Sequence, residues 1–258
     1  MKYTRRGSGR PLFLLHGFCS SSAIWSGLLG ALADEHDVIA VDWPGFGRGA
    51  QAAPLQGLPA YADALVALAD ELGIASFDVL GHSFSGFVAQ QLLCAVPGRV
   101  GRAVLYGAGL RVDGAARFEP MDQTLARLRA GGPRATARRV RGAWFRQGEQ
   151  APAYAGCLED GMTMSAAGAA SRIAAVAGVD YTQALAAVRA PVLVISGELE
   201  RSHPLPSALA LRAALTHGSL CVLPDCGHAA HLERPLLFNT AVREFLAGQD
   251  GAPRPAGQ

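Results

Sequence analysis

No apolar run in this 258-residue chain approaches the roughly 18 residues that a helix needs to cross a bilayer. The sequence therefore reads as a protein with no membrane span. Charge is also sparse: only 17% of residues are Asp, Glu, Lys or Arg, and the formal net charge is +2. A nucleic-acid binder concentrates basic residues on one face. The only local cluster here, the arginines of 127–146, sits among alanines and glycines without a nucleic-acid motif, which argues against such a partner. The N-terminal stretch MKYTRRGSGRPLFLLHG carries basic residues, but the apolar run after them is about four residues, too short for a signal peptide. The five cysteines, Cys19, Cys94, Cys157, Cys221 and Cys226, are odd in number and lack paired metal-ligand spacing, so reduced thiols in a cytoplasm are expected.

Hydrophobic residues make up 50% of the chain, enough for a compact core. The length suits one α/β domain with an insertion better than two independent domains. Short apolar runs bounded by turn signals recur at 12–15, 38–41, 77–80, 100–106, 192–195 and 220–223. Both faces of each run are apolar, which marks buried strands rather than half-exposed ones. Helix-like stretches lie between them, such as 59–72, where Leu65, Leu68, Ala69 and Leu72 recur on one face. Strands alternating with helices imply a mostly parallel sheet covered on both sides.

The rhythm breaks between 111 and 187. No strand run appears there, and 121–129 and 136–145 have helical spacing. A helical insertion is more economical than a long structureless loop. The expected organisation is a core of residues 1–110 and 188–247, a helical lid at 111–187, and a disordered tail at 248–258, where GQDGAPRPAGQ offers no apolar anchor.

The run VLGHSFSGF, residues 79–87, sets Ser83 between small residues at the end of an apolar strand. A strand that reverses tightly into a helix holds such a serine exposed and aims the next backbone N–H at the oxygen of a reacting carbonyl. Serine needs a base, and the base needs a carboxylate to orient it. After the last strand-like run, LPDCGHAAHLERP places His228 in a loop. Before that run, PVLVISGELER ends a strand and presents Glu198 and Glu200. Near the N-terminus LFLLHGF ends another strand. The N–H groups of Phe18, after that strand, and of Phe84, after the serine, are the expected oxyanion donors.

In LFLLHGF, VIAVDWPGFGRG, VLGHSFSGF, PVLVISGELER and CGHAAHLERPLLFN, taken in that order, the chain resembles the α/β-hydrolase superfamily over nearly its whole length. The resemblance implies an α/β-hydrolase fold: a mostly parallel eight-stranded sheet flanked by helices, with a helical cap. It also implies hydrolysis through an acyl-enzyme on a serine, histidine and acid triad, with neither metal nor organic cofactor. The phrases GAWF, YAGCLEDG and HLERPLLFN are similar to the oxoadipate enol-lactonase and small carboxylesterase group. Two positions depart from the family pattern. Glu200 stands where GExD members carry aspartate, with Glu198 and Asp113 as other candidates for the acid. Ser85 replaces the last glycine of GxSxG, and its hydroxyl is free to bond locally.

The catalytic set is thus Ser83, His228 and Glu200. Competing uses of nearby residues are less economical. His16 and His82 read as loop supports, and His231, three residues after His228, lacks the further ligands a metal would need. Cys19 lies beside the oxyanion turn, but no neighbour in sequence lowers its pKa. Phe18, Phe84, Trp43, Trp144 and Phe145 are pocket or core aromatics. Of Arg127, Arg129, Arg134, Arg138, Arg139 and Arg141, most are expected on a solvated face, with one or two free to turn inward onto a substrate carboxylate. The expected reaction is hydrolysis of a small carboxylic ester or lactone. The alternatives are carbon–carbon bond hydrolysis of a diketone-type ring-cleavage product, and a non-hydrolytic ligand-binding protein on the same fold.

Overall fold

The computed structural model describes residues 1–112 and 116–248. Each of the six apolar runs becomes a strand: β2 (Arg10–Leu15), β3 (His36–Asp42), β4 (Phe77–His82), β5 (Val100–Tyr106), β6 (Val192–Gly197) and β7 (Gly218–Leu223), following an unforeseen β1 (Lys2–Arg6). The sheet order is β1-β3-β2-β4-β5-β6-β7. Every pairing is parallel except β1 with β3, in register Tyr3↔Val41. β3 and β4 are buried along their whole length. Consecutive side chains of these strands point to opposite faces, so both faces of the sheet are covered, as the apolar stretches 38–41 and 79–80 demand.

The sheet corrects one expectation. Among the described residues it has seven strands rather than eight. It also includes a strand that apolar pattern does not reveal, because β1 reads KYTRR and is mostly exposed. As an edge strand it needs only one hydrogen-bonded neighbour, and its charges discourage pairing with another chain.

The covering helices are α1 (Ser26–Leu32), α2 (Gly57–Glu71) and α3 (Phe84–Ala95) in the first half. α2 matches the expected 59–72 stretch and buries Leu58, Tyr61, Ala62, Leu65, Leu68 and Ala69 on one face. Between β5 and β6 the chain forms α4 (Met121–Gly142), α5 (Tyr154–Gly161) and α6 (Ala166–Ala175). The two helical stretches expected at 121–129 and 136–145 are two arms of α4. They are separated at Gly132, whose φ of 75° no helix accepts, with Pro133 next. The second arm stops at Gly142, so Trp144 and Phe145 lie in the following turn, where both are buried. After β6 come α7 (Leu205–Ala213), the short α8 (Ala230–Glu233) and α9 (Pro235–Ala247). No helix among the described residues is long and apolar enough to cross a membrane. The tail expectation for 249–258 lies outside the described residues.

α6 is fastened closely to the loop after β3. The Ser165 N–H donates to the Gly45 carbonyl at 2.8 Å. A Cβ on Gly168 would come within 2.8 Å of that same oxygen. Backbone approaches backbone here, which only glycine permits.

Candidate active site

β4 ends at His82, and Ser83 turns the chain into α3 with φ 54° and ψ −116°. A non-glycine residue held at positive φ stores strain that the surroundings must impose. Those surroundings are tight: a Cβ on Gly81 would lie 2.1 Å from the Ser85 carbonyl oxygen, and one on Gly86 would lie 2.4 Å from the Ala108 Cβ. The Ser83 N–H donates to the Tyr106 carbonyl at 2.8 Å, anchoring the turn to β5. Phe84 opens α3, so its N–H belongs to the helix N-terminus, where backbone donors lack intrahelical partners.

Ser85 explains its own departure from glycine, but not by a local bond. Its hydroxyl donates to the His16 carbonyl at 2.6 Å and accepts from the Trp43 indole N–H at 3.1 Å. A buried hydroxyl with both partners satisfied is stabilising. It ties the ends of β2 and β3 to the elbow. The close approach of α3 to the loop after β5 falls on Gly86, where a Cβ would meet that of Ala108 at 2.4 Å.

The structure brings Glu200 to His228, with Oε2 2.5 Å from Nδ1 and both side chains buried. Oε1 accepts from the backbone N–H of Ser202 at 2.6 Å and of His203 at 3.3 Å. The added methylene of glutamate over aspartate is therefore absorbed by a turn that wraps its far oxygen. Glu198 points elsewhere, accepting from the exposed Asp225 N–H at 2.9 Å. Asp113 lies outside the described residues. The Glu200 and His228 pair rests against Gly107 at φ 56°, where a Cβ would meet His228 Nδ1 at 3.0 Å and Glu200 Oε2 at 3.2 Å.

Burial disfavours charge on both partners. It pushes the Glu200 carboxyl up to about 7, against the opposing pull of His203, the two backbone N–H groups and Arg117. It holds the His228 imidazolium well below its ordinary range, aided by Arg117 and Arg141. The resting imidazole is neutral, and its buried Nε2 has no hydrogen-bond partner. A neutral imidazole with Nδ1 engaged and Nε2 free is the form a general base requires.

The neighbouring histidines are supports. The His228 carbonyl accepts from the Tyr106 hydroxyl at 2.7 Å and lies 3.1 Å from His82 Nε2, and the rings of His82 and His228 are 4.5 Å apart. Because His82 adjoins Ser83, this contact holds the base's loop against the elbow. His231 Nδ1 lies 3.0 Å from the Tyr106 hydroxyl. His16 Nδ1 lies 2.9 Å from the Gly17 carbonyl. Gly17 runs so close to the elbow that a Cβ there would stand 3.1 Å from the Ser83 Cβ. The next residue but one, Cys19, is buried at φ 53°. Burial pushes its thiol up to about 12 despite nearby arginines, which removes its nucleophilic form at neutral pH.

Ser83 opens into a cavity of about 40 Å³, room for roughly three water molecules. Phe18 and Phe84 line it. So do Arg117, Arg172 and His203, which sequence reading passed over. Trp43, Trp144 and Phe145 do not line it and belong to the core. The arginine run of 127–141 is used differently from the inward-turning reading. Arg127 and Arg139 pair with Glu119, Arg138 pairs with Glu149, Arg129 and Arg134 are exposed, and the fully buried Arg141 is bound to protein partners.

The cavity arginine is Arg172, only 1% exposed, alone on the alanine-rich α6. Its guanidinium carbon lies 3.7 Å from the Phe46 ring centroid and 4.7 Å from that of Phe84, and Nη1 donates to the Gly17 carbonyl. Nε and Nη2 make no well-formed hydrogen bond. Burial lowers its pKa to about 10, with the Tyr61 phenol opposing, so it stays charged at neutral pH. The signal that would have found it is a single arginine on the helix face shared with Ala169, Ile173 and Val176, all buried.

The description "Alpha/beta hydrolase family" belongs to a family model that matches residues 12–241. The chain is 30% identical over 257 residues to a protein of Variovorax paradoxus (strain S110) named "Putative carbamate hydrolase RutD", covering 96% of each. It is 30% identical over 258 residues to 2-hydroxymuconate semialdehyde hydrolase of Pseudomonas sp. (strain CF600), covering 95% of this chain and 90% of that one. Among solved structures, the enol-lactonase from Burkholderia xenovorans LB400 superposes with a TM-score of 0.88 at 22% identity, over 96% of both chains, a likeness of fold.

Proposed function

This chain belongs to the alpha/beta hydrolase family, and from that premise we propose that it is a serine hydrolase of small carboxylic esters or lactones, working through an acyl-enzyme. The observation that carries the reading is a carboxylate-held base lodged against a strained elbow: Ser83 lies at φ 54°, the ring of its neighbour His82 lies 4.5 Å from that of His228, and His228 is held by Glu200 at 2.5 Å with Nε2 free. His228 takes the Ser83 proton as Oγ attacks the carbonyl. The N–H groups of Phe18 and Phe84 hold the oxyanion, and Glu200 stabilises the imidazolium. Protonated His228 then gives its proton to the departing alcohol, and a water repeats the sequence to free the acid. The helices of 111–187 act as a lid over the 1–110 and 188–247 core, since α4 and α6 supply Thr124, Val140 and Arg172 to the same cavity that Ser83 opens into.

The cavity wall refines the substrate. It includes two guanidinium groups, Arg117 and Arg172, and no carboxylate. Arg117 is half-buried and is opposed by Glu200 and Glu119, but Arg172 is buried with no carboxylate beside it in that wall. Uncompensated buried charge is costly, and a substrate carboxylate would offset it. Small esters or lactones bearing an acid group are therefore the favoured class. The same wall, with the 2-hydroxymuconate semialdehyde hydrolase likeness, supports the second reading, carbon–carbon bond hydrolysis of a ring-cleavage product on the same triad. The five unpaired cysteines support a reducing cytoplasm as its location.

The test is turnover of p-nitrophenyl acetate and labelling by a fluorophosphonate probe. We expect wild type to react at Ser83 and Ser83→Ala to lose at least about 10⁴-fold in kcat. Activity kept by Ser83→Ala but lost in Ser85→Ala overturns the assignment. A folded wild type that takes no probe and hydrolyses neither esters, lactones nor ring-cleavage products points to the non-hydrolytic reading.

A further inference from the structure

We infer that Arg141 and Asp160, two residues of the inserted helices, are positioning residues that set the oxyanion turn; this rests on the serine-hydrolase reading above. The turn of 17–21 carries the proposed donor Phe18 and passes through Cys19 at φ 53°. That conformation is uncommon for a residue with a Cβ, and the turn's own sequence offers no glycine at this point. What holds it comes from elsewhere in the chain.

Arg141 is fully buried on α4. Its Nε donates to the Cys19 carbonyl at 2.8 Å, and Nη2 donates to the same oxygen. Nη1 donates to the Cys157 Sγ at 2.6 Å, and Nη2 also pairs with Asp160 Oδ2 at 2.8 Å. Asp160, on α5, accepts from the Ser20 hydroxyl at 3.1 Å, from the Ser21 N–H at 3.2 Å and from the Ser21 hydroxyl. One guanidinium and one carboxylate thus hold three consecutive residues, Cys19, Ser20 and Ser21. The fit leaves no slack, since a Cβ on Gly161 would lie 2.9 Å from both Arg141 Nε and the Cys19 carbonyl oxygen.

The same guanidinium reaches the other half of the site. Its carbon sits 4.1 Å from the Trp144 ring centroid, and Trp144 stands edge-on to His228 at 5.0 Å. The Trp144 carbonyl accepts from the Ala229 N–H at 3.1 Å, next to the base. Arg141 therefore fixes the oxyanion turn and braces the His228 loop through one indole. A planar guanidinium with fixed N–H directions suits this task, and an ammonium does not reproduce it. The effect belongs to the transition state: a donor aimed at a forming oxyanion contributes little to ground-state binding.

The experiment compares wild type with Asp160→Asn, Arg141→Lys and Arg141→Met. Two readouts are used: kcat and KM for p-nitrophenyl acetate, and Ki for an aryl trifluoromethyl ketone, which forms a tetrahedral adduct with its oxyanion in the hole. We expect kcat to fall about 10-fold in Asp160→Asn and about 100-fold in Arg141→Met, at or below the lower end of the roughly 10²–10³-fold that removing an oxyanion donor costs. Arg141→Lys falls between them. KM should stay within about twofold while Ki rises in step with the loss in kcat. Asp160→Asn is nearly isosteric and keeps the test standing if the Arg141 variants fail to fold. An active wild type with a folded Asp160→Asn of unchanged kcat and Ki overturns this inference alone. A loss of kcat with Ki unmoved overturns it as well. An inert wild type removes the hydrolase reading and this one with it.

Discussion

The elbow at Ser83 and the inserted helices over it meet at one cavity, yet they are held by different forces. At the elbow the restraint is backbone against backbone: a Cβ on Gly81 would sit 2.1 Å from the Ser85 carbonyl oxygen, and no side-chain choice relieves that. In the inserted segment the restraint is side chain on distant partner, as with Arg141 on Cys19, Arg139 on Glu119 and Arg172 on Gly17. Backbone sterics leave a local mark in sequence, because only glycine or another small residue fits. Long polar side chains leave none, because their partners lie up to 155 residues away. The elbow is therefore stiff and locally encoded, whereas the polar contacts of the inserted segment are assembled at long range.

The largest effect that sharpens this contrast belongs to Glu200→Gln. A neutral amide cannot stabilise the imidazolium or hold the productive tautomer, so kcat should fall by about 10⁴-fold. Wild-type kcat/KM should rise with pH to a plateau above about 7, the value to which burial pushes Glu200, as the Glu200 and His228 pair loses its shared proton. The stability consequence has the opposite sign. With its folded pKa above its unfolded one, Glu200 favours the folded state at low pH. That contribution is lost as pH rises from the ordinary glutamate range through about 7. Denaturant melts across pH 4 to 8, with and without Glu200→Gln, check this, and an acid limb that survives the substitution assigns the titration elsewhere.

Next in size is Gly81→Ala. One methyl group, placed where Ser85 already has its carbonyl, should cost about 4 kcal/mol or more of stability. Urea unfolding reads it directly, and a cost below about 1 kcal/mol would mean that the elbow yields after all.

The smallest change falls on the other side of the comparison. Arg172→Met keeps bulk and removes the charge, so the preference in kcat/KM for monoethyl glutarate over ethyl pentanoate should drop about 30-fold, within the range of a desolvated charge pair. A ratio is used because Arg172 also holds the Gly17 carbonyl. Equal losses on both esters would assign it to holding that turn rather than to substrate choice.

Particular residues show how far the sequence could be read. The six buried strands were legible because a strand covered on both faces must be apolar throughout. β1 was not, because KYTRR lies at an exposed edge and is recruited by its neighbour's hydrogen bonds rather than by burial. Ser83, Glu200 and His228 were picked out from their places after strands, and the structure sets Glu200 against His228. Glu198 competed with Glu200 on equal local terms until the loop's wrapping showed which carboxylate reaches His228. Arg172 was passed over although it shares a helix face with Ala169, Ile173 and Val176, because its partners Phe46, Phe84 and Gly17 lie far away in the chain. Ser85 was expected to bond locally, and its partners proved to be His16 and Trp43.

The sequence by itself determined the α/β alternation, the elbow and the order of serine, acid and histidine, because these follow from short-range sterics and from apolar pattern. Only the tertiary structure decided that the sheet shows seven strands among the described residues, which acid meets His228, and which arginines face the cavity. Those outcomes depend on contacts between segments far apart in the chain, whose geometry exists only once the inserted helices have packed against the core.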